Sequence, residues 1–138
     1  MIKIPLSVYN GLYSTLGRFG PREKCGFLGF RKGRLDLFVP VRNSSKSMYR
    51  FEVKFLDRMI GLARLCVKGE LENIGFYHTH MTDSAKLSKD DEAEILTFKK
   101  MIFAVVTPKN LYFNQVNAKK NTRVIERLEW QIVDDGGK

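Results

Sequence analysis

The sequence is poor in the features that mark secreted and membrane-spanning proteins. Only two of its 138 residues are cysteines, Cys25 and Cys66, which argues against a disulfide framework and favours a reducing cytoplasm. No apolar run is long enough to cross a bilayer, and segment 1–5 lacks the apolar core and cleavage site of a signal peptide. The sequence therefore predicts a cytoplasmic protein with no membrane association.

Acidic residues are also fewer than basic ones. The sequence has 15 aspartates and glutamates and 24 lysines and arginines, which gives a net charge of +9. Such a charge attracts nucleic acid or acidic protein surfaces. The basic residues are scattered, however, and cluster only at 119–123. The chain has no zinc-finger pair, nucleotide-binding glycine loop or aromatic RNA-binding motif, and it lacks the His-x-Glu and Pro-Cys-x-x-Cys motifs of zinc deaminases. A solvated basic surface is the favoured interpretation, and nucleic acid is not the favoured partner.

The rest of the sequence has the length and periodicity of one globular domain, with 43% hydrophobic residues. Apolar residues at three- and four-residue steps predict helices over 6–19, 52–68 and about 88–99. Apolar or alternating runs between turn residues predict strands over 24–31, 34–41, 71–77, 101–107, 111–116 and 122–133. We predict an α/β fold over 1–133, a curved mixed sheet flanked by helices, with a flexible tail at 134–138.

Histidine is equally scarce, and both histidines, His78 and His80, follow the predicted strand 71–77. Alternate residues of an extended segment project to the same side, so the two imidazoles are expected to lie together. Two imidazoles and a carboxylate from the next element make a zinc site whose fourth position stays open to water. The candidate carboxylates are Asp83, in a loop expected to be flexible, and Asp90 and Asp91, which point about 100° apart around the predicted helix.

Ser88, Asp91 and Glu23 each have a structural interpretation as well. Ser88-x-x-Asp91 before an apolar-periodic run resembles a capping box, with Ser88 as N-cap and Asp91 at N3. The two interpretations are compatible, because a helix start fixes where its first-turn side chains point. Glu23, just before the strand 24–31, would by itself be an ordinary exposed glutamate.

The pattern His78-x-His80-x7-Ser88-x2-Asp91, with Glu23-x-Cys-Gly upstream, resembles the signature of the JAMM (MPN+, JAB domain) zinc metallopeptidases of minimal prokaryotic or phage type. The resemblance implies one zinc ion per chain, bound by His78, His80 and Asp91. It implies that Ser88 stabilises a tetrahedral intermediate and that Glu23 acts as general acid and base. It also implies the JAMM/MPN fold, which is similar to the cytidine deaminase architecture.

The chain departs from the family pattern at three positions. Thr79, Met81 and Leu87 stand where many members have serine, proline and proline. None of these changes removes a ligand, but the missing prolines predict a more flexible metal loop. Related domains carry an asparagine-containing loop near the site, so Asn43 is a candidate for positioning substrate, and a turn-forming asparagine is the alternative.

For function, the resemblance implies hydrolysis of a peptide or isopeptide bond at the C-terminal tail of a ubiquitin-like or sulfur-carrier protein, with an E1-like or operon-encoded partner. Phage cell-wall cleavage is a related activity. One alternative is a catalytically silent MPN scaffold that binds partner proteins. The other is a RadC-like DNA-associated protein, which the positive charge supports and the missing helix-hairpin-helix segment counts against. Substrate-binding residues and oligomeric state do not follow from the sequence.

Overall fold

The computed structural model describes residues 1–17, 24–41, 53–80, 83, 86–87, 89, 92, 96, 101–119 and 122–135. Its elements, in chain order, are β1 (Ile2–Pro5), α1 (Leu6–Leu16), β2 (Cys25–Arg31), β3 (Arg34–Val41), α2 (Val53–Val67), β4 (Asn73–Thr79), β5 (Ile102–Val106), β6 (Leu111–Lys119), β7 (Thr122–Leu128) and β8 (Trp130–Val133). Lys89, Glu92 and Leu96 are also helical. Within these ranges, no helix is long and apolar enough to span a membrane.

The strands of the described chain form one mixed sheet in the order β7-β6-β5-β4-β2-β3-β1-β8. β4, near its middle, pairs antiparallel with β2 and parallel with β5. The two ends of this order, β7 and β8, are consecutive in the chain and separated only by Glu129. Because one residue is enough to connect the two outermost strands, those strands must lie close together in space. The sheet therefore curls into a nearly closed barrel.

Each face of this curled sheet has its own hydrophobic core, because alternate residues of each strand project to opposite faces. In β4, Tyr77 belongs to the core that α1 covers, which includes Leu12 and Leu16. Phe76 belongs to the core on the other face, where Leu62 of α2 is buried. The predicted curved mixed sheet with helices on its faces is therefore observed.

The local predictions agree best with the structure at turns. The hairpin between β2 and β3 turns at Lys32 and Gly33, whose φ values of 52° and 72° are those of a two-residue hairpin turn. Gly69, with a φ of 78°, follows α2 where the sequence predicts its end. The first helix, predicted to reach Phe19, ends at Leu16 instead, because Gly17 adopts a φ of 58°.

Two predictions of long-range structure were wrong or missing. The segment 122–133, predicted as one strand, is broken at Glu129 into β7 and β8. β1 was not predicted, and it pairs in parallel with β8, matching Ile2 with Trp130. Both features depend on a contact between the two ends of the chain, which local periodicity does not report.

The residues after β8 contact the N-terminus of α1. This helix has Pro5 as its N-cap residue, which makes no side-chain capping bond, and it has no acidic residue in its first turn. The carboxylate of Asp135 accepts a hydrogen bond of 2.8 Å from the backbone N–H of Ser7. Hydrogen bonds from Ser7 hold the pKa of the exposed Asp135 carboxyl below its ordinary value. Part of the segment predicted as a tail, 134–138, therefore caps a helix, and 136–138 lie outside the described residues.

The seam where the sheet closes is predicted to depend on Trp130. Its indole N–H donates to the carbonyl of Leu111 at 2.9 Å, and its ring stacks on Tyr9 with centroids 6.1 Å apart. Trp130→Phe is expected to lower the free energy of unfolding by about 1 kcal/mol through the lost hydrogen bond. Trp130→Ala is expected to lower it by about 3 kcal/mol, because the ring contacts are lost as well.

Urea denaturation of the two Trp130 variants tests this expectation. Gln131→Ala is the matched control, since it changes an exposed side chain of the same strand. If Trp130→Ala unfolded at the same urea concentration as Gln131→Ala, the indole would not be what holds β8 against β6.

Candidate metal centre

The candidate site lies at the carboxyl end of β4. β4 runs antiparallel to β2 and parallel to β5, with His78 paired to Cys25 on one side and to Val105 on the other. The start of β2 and the ends of β4 and β5 therefore meet at one edge of the sheet. Side chains from three separate parts of the sequence converge there.

The two histidines lie side by side at this edge. Their ring centroids are 4.7 Å apart, with the ring planes inclined by 51°. His78 is 2% exposed and meets Phe103 edge-on at 4.8 Å between centroids. His80 follows the last residue of β4 and is half-buried. One imidazole is thus fixed in the core and the other borders solvent, while their role as metal ligands stays a prediction.

The side chains present fit zinc better than magnesium or calcium. Imidazole nitrogen is a common ligand of zinc, whereas magnesium and calcium select oxygen ligands. In the part of the chain that the structure describes, no group of three or more His, Cys, Asp or Glu side chains forms a metal site. The remaining predicted site residues, Glu23, Ser88 and Asp91, lie outside the described residues, as do Asn43 and the competing Asp90.

The start of β2 is fastened to the residue between the two histidines. The backbone N–H of Lys24 donates to the Thr79 hydroxyl at 2.8 Å, and the N–H of Thr79 donates to the Lys24 carbonyl at 2.9 Å. The Lys24 ammonium also donates to the carbonyl of Leu16 at the end of α1. Thr79 is 4% exposed. Lys24, the residue after Glu23 in the sequence, is thereby held beside the histidine pair.

The segment after the histidines is connected to the same region at two points. The N–H of His80 donates to the carbonyl of Val106, the last residue of β5, at 2.9 Å. Leu87, the residue before Ser88, is half-buried against the core that contains Phe103. Because His78 meets Phe103 as well, Leu87 and His78 contact one core.

Sequence reasoning missed Thr107, which follows β5 and is fully buried. Its hydroxyl donates to the carboxylate of Asp83, and its carbonyl accepts a hydrogen bond of 3.0 Å from the Tyr13 hydroxyl. The pKa of Tyr13 is raised, first by burial and then by Tyr9 and Asp83. Asp83, weighed as a metal ligand, therefore bonds to Thr107. The one sequence signal was Thr107 before Pro108-x-Asn, where a hydroxyl commonly caps a turn.

A glycine packed against Tyr77 supports the strand beneath the histidines. A Cβ on Gly26 would lie 2.5 Å from the phenol oxygen of Tyr77 and 2.5 Å from the carbonyl oxygen of Val39. Tyr77 is fully buried, and burial is the main reason that the pKa of its phenol is raised. The absence of a side chain at position 26 is what makes room for the tyrosine that precedes His78.

Gly26→Ala is therefore predicted to destabilise the fold by about 1–3 kcal/mol, the range typical of an overpacked core. Gly61→Ala is the control. Gly61 lies inside α2, and a Cβ at this position would meet nothing within 4 Å. The control is expected to gain up to about 1 kcal/mol. Thermal unfolding of both variants measures the difference, and equal stability of the two would contradict the close packing of Tyr77 on Gly26.

Comparison with known proteins identifies the fold. No family model matches the sequence, and no curated protein matches it. Among solved structures, the solution structure of protein DSY2949 from Desulfitobacterium hafniense aligns with a TM-score of 0.66 and 16% identity, over 98% of this chain and 94% of the other. The crystal structure of AF2198, a JAB1/MPN domain protein from Archaeoglobus fulgidus, aligns with a TM-score of 0.60 and 16% identity, over 96% of this chain and all of the other. The chain has the fold of a JAB1/MPN domain.

Proposed function

We propose that this protein is a zinc-dependent hydrolase that cleaves a peptide or isopeptide bond. The observation that carries the proposal is the pair of imidazoles, His78 and His80, held 4.7 Å apart between ring centroids where β2, β4 and β5 meet. The sequence adds Ser88 and Asp91 at the spacing of the JAMM signature. A structural role alone does not require two adjacent imidazoles, one buried and one bordering solvent.

His78, His80 and Asp91 are the proposed ligands of one zinc ion per chain. Zinc bound by three protein ligands would act as a Lewis acid and lower the pKa of water to about 7. The packing of His78 on Phe103 orients its ring, while the half-buried His80 leaves the site accessible from solvent. Leu87, packed on the same core, supports the placement of Ser88 near this pair.

Glu23 is the proposed general base and acid. Its sequence neighbour Lys24 makes two hydrogen bonds with Thr79, and consecutive Cα atoms are only about 3.8 Å apart. A carboxylate at that position takes a proton from the attacking water and later delivers it to the departing amine. Ser88 would donate a hydrogen bond to the carbonyl oxygen as it becomes negative, which is worth roughly 3 kcal/mol at comparable sites.

The proposed substrate class is the C-terminal tail of a ubiquitin-like or sulfur-carrier protein. The resemblance to minimal JAMM peptidases supports this class, and the net charge of +9 favours a protein with an acidic surface. An E1-like or operon-encoded protein would be the partner that attaches or supplies such a tail.

Two alternatives make different predictions. A catalytically silent MPN scaffold would bind proteins without hydrolysing them. A RadC-like protein would bind duplex DNA with an affinity that falls steeply as salt is raised. In the described residues, the adjacent imidazoles favour the hydrolase over both, because neither protein binding nor DNA binding requires two histidine rings side by side.

The purified protein is predicted to bind about one zinc ion per chain. Asp91→Ala should weaken zinc affinity by more than about 100-fold, because loss of a ligand exceeds the roughly 10–100-fold effect of losing a group that only supports one. Asp90→Ala is the matched control and should change affinity little. Metal analysis and competition with a chelating dye give both values, and a larger loss in Asp90→Ala would show that the wrong carboxylate was chosen.

Glu23→Gln is predicted to keep zinc and to slow hydrolysis by about 100- to 10,000-fold, the usual contribution of a positioned acid or base. The probe is a peptide ending in Gly-Gly joined by an isopeptide bond to lysine, and its cleavage is followed by chromatography. Glu70→Gln makes the same charge change before β4, at the end of that strand away from the histidines, and should leave the rate unchanged. Equal rates for Glu23→Gln and the wild type would remove Glu23 from the mechanism, and an inactive, zinc-loaded wild type would contradict the substrate class.

A further inference from the structure

We infer that Asp83 and Thr107 form a clamp that positions His80, so that both are positioning residues for the proposed metal site. The clamp is the hydrogen bond from the Thr107 hydroxyl to the Asp83 carboxylate. It lies outside the zinc signature, and the inference rests on the proposed function for the identity of the metal.

Thr107 is a rigid anchor because every polar atom it has is engaged. Its hydroxyl oxygen accepts from the backbone N–H of Asn110 at 2.9 Å and more weakly from that of Lys109 at 3.3 Å. Its own N–H donates to the Asn110 carbonyl at 2.9 Å, and its carbonyl accepts from Tyr13 of α1. The residue is fully buried. It therefore couples the end of β5 to α1 and to the turn 107–110.

The single hydroxyl proton of Thr107 has two acceptors within reach, and the carboxylate is the stronger. One is the carbonyl of Asn110 at 3.1 Å, which already accepts from the N–H of Thr107. The other is Asp83, an exposed side chain. A hydrogen bond to an ionised acceptor is roughly twice as strong as one between neutral groups. The proton is therefore directed to Asp83, and this ties an exposed residue to a buried one.

The clamp bears on His80 because the chain between them is short. The N–H of His80 donates to Val106 at 2.9 Å, and three residues later Asp83 is held by Thr107, the neighbour of Val106. Two adjacent residues at the end of β5 thus hold both ends of the segment 80–83. His80 stands outside β4, so its ring direction depends on that segment as well as on the strand. Restricting the segment favours one direction of the ring, next to His78.

The structure favours a supporting role for Asp83 over the role of a ligand. Within the described residues it forms no three-membered metal group with the two histidines, and the Thr107 hydroxyl uses one of its oxygens. Groups that orient a ligand without touching the metal typically change metal affinity by about 10- to 100-fold when they are removed. Asp83 and Thr107 are expected to act in this way.

The test uses the full chain and two readouts. Asp83→Ala and Thr107→Val should each weaken zinc affinity by about tenfold. The double variant should lose no more than Thr107→Val alone, because that substitution already removes the contact with Asp83. In the metal-free protein, each of the two single substitutions should speed hydrogen exchange of the His80 amide. The amide of Tyr77, which lies inside β4, is the internal reference. Thr107→Ser, which keeps the hydroxyl, should remain close to the wild type. Asp36→Ala, an equal charge change at an exposed position of β3, should alter neither readout.

The outcomes separate the clamp from the proposed function. Unchanged exchange at His80 in Asp83→Ala would overturn the clamp, whatever the zinc affinity. Faster exchange with unchanged zinc affinity would overturn the role of the clamp in metal binding. A wild type that takes up no zinc would overturn the proposed function, and faster His80 exchange in Asp83→Ala would then still establish the clamp in the metal-free fold.

Discussion

The pairing of β4 with an antiparallel β2 and a parallel β5 is the constraint on which the rest of the structure depends. Strand direction decides which ends of these strands lie side by side. Because β2 runs the other way, its beginning meets the ends of β4 and β5. Lys24, Thr79 and Val106 are therefore neighbours in space, although long segments separate them in the sequence. Reversal of any one strand would carry its polar groups to the opposite edge of the sheet.

The burial of β4 explains how the site is kept rigid. Gly75, Phe76, Tyr77, His78 and Thr79 are all buried, so side chains on both faces of the strand are packed. His78 is fixed by the same core that Phe76 and Phe103 build, where the two phenylalanine rings meet edge-on at 4.6 Å between centroids. Interiors are packed as densely as organic crystals, which leaves a buried ring little freedom to turn. The position of His78 thus follows from packing, whereas that of His80 depends on hydrogen bonds at the end of the strand.

The sequence predicted the parts of this arrangement that are encoded locally. Lys32-Gly33 is a turn signal that needs no distant partner, and the β2–β3 hairpin was correctly placed by it. The alternation of His78 and His80 likewise predicted neighbouring rings. By contrast, β1 is four residues long and is a strand because β3 and β8 pair with it. The bond between Asp83 and Thr107 joins residues 24 apart, neither of which has a periodic pattern that indicates the contact. Such contacts are set by the sheet order, which local propensity does not determine.

The parallel pairing of β1 with β8 has a consequence for how the protein is made. β1 leaves the ribosome long before its partner β8, and Ile2 can meet Trp130 only once β8 has emerged as well. Contacts between residues so distant in the sequence carry the largest entropic cost of closure and form late in folding. Until synthesis reaches Val133, one edge of β1 stays exposed to other nascent chains. A ribosome that stalls within β7 would release a chain whose barrel is open. We expect this incomplete chain to be a preferred target of chaperones and proteases.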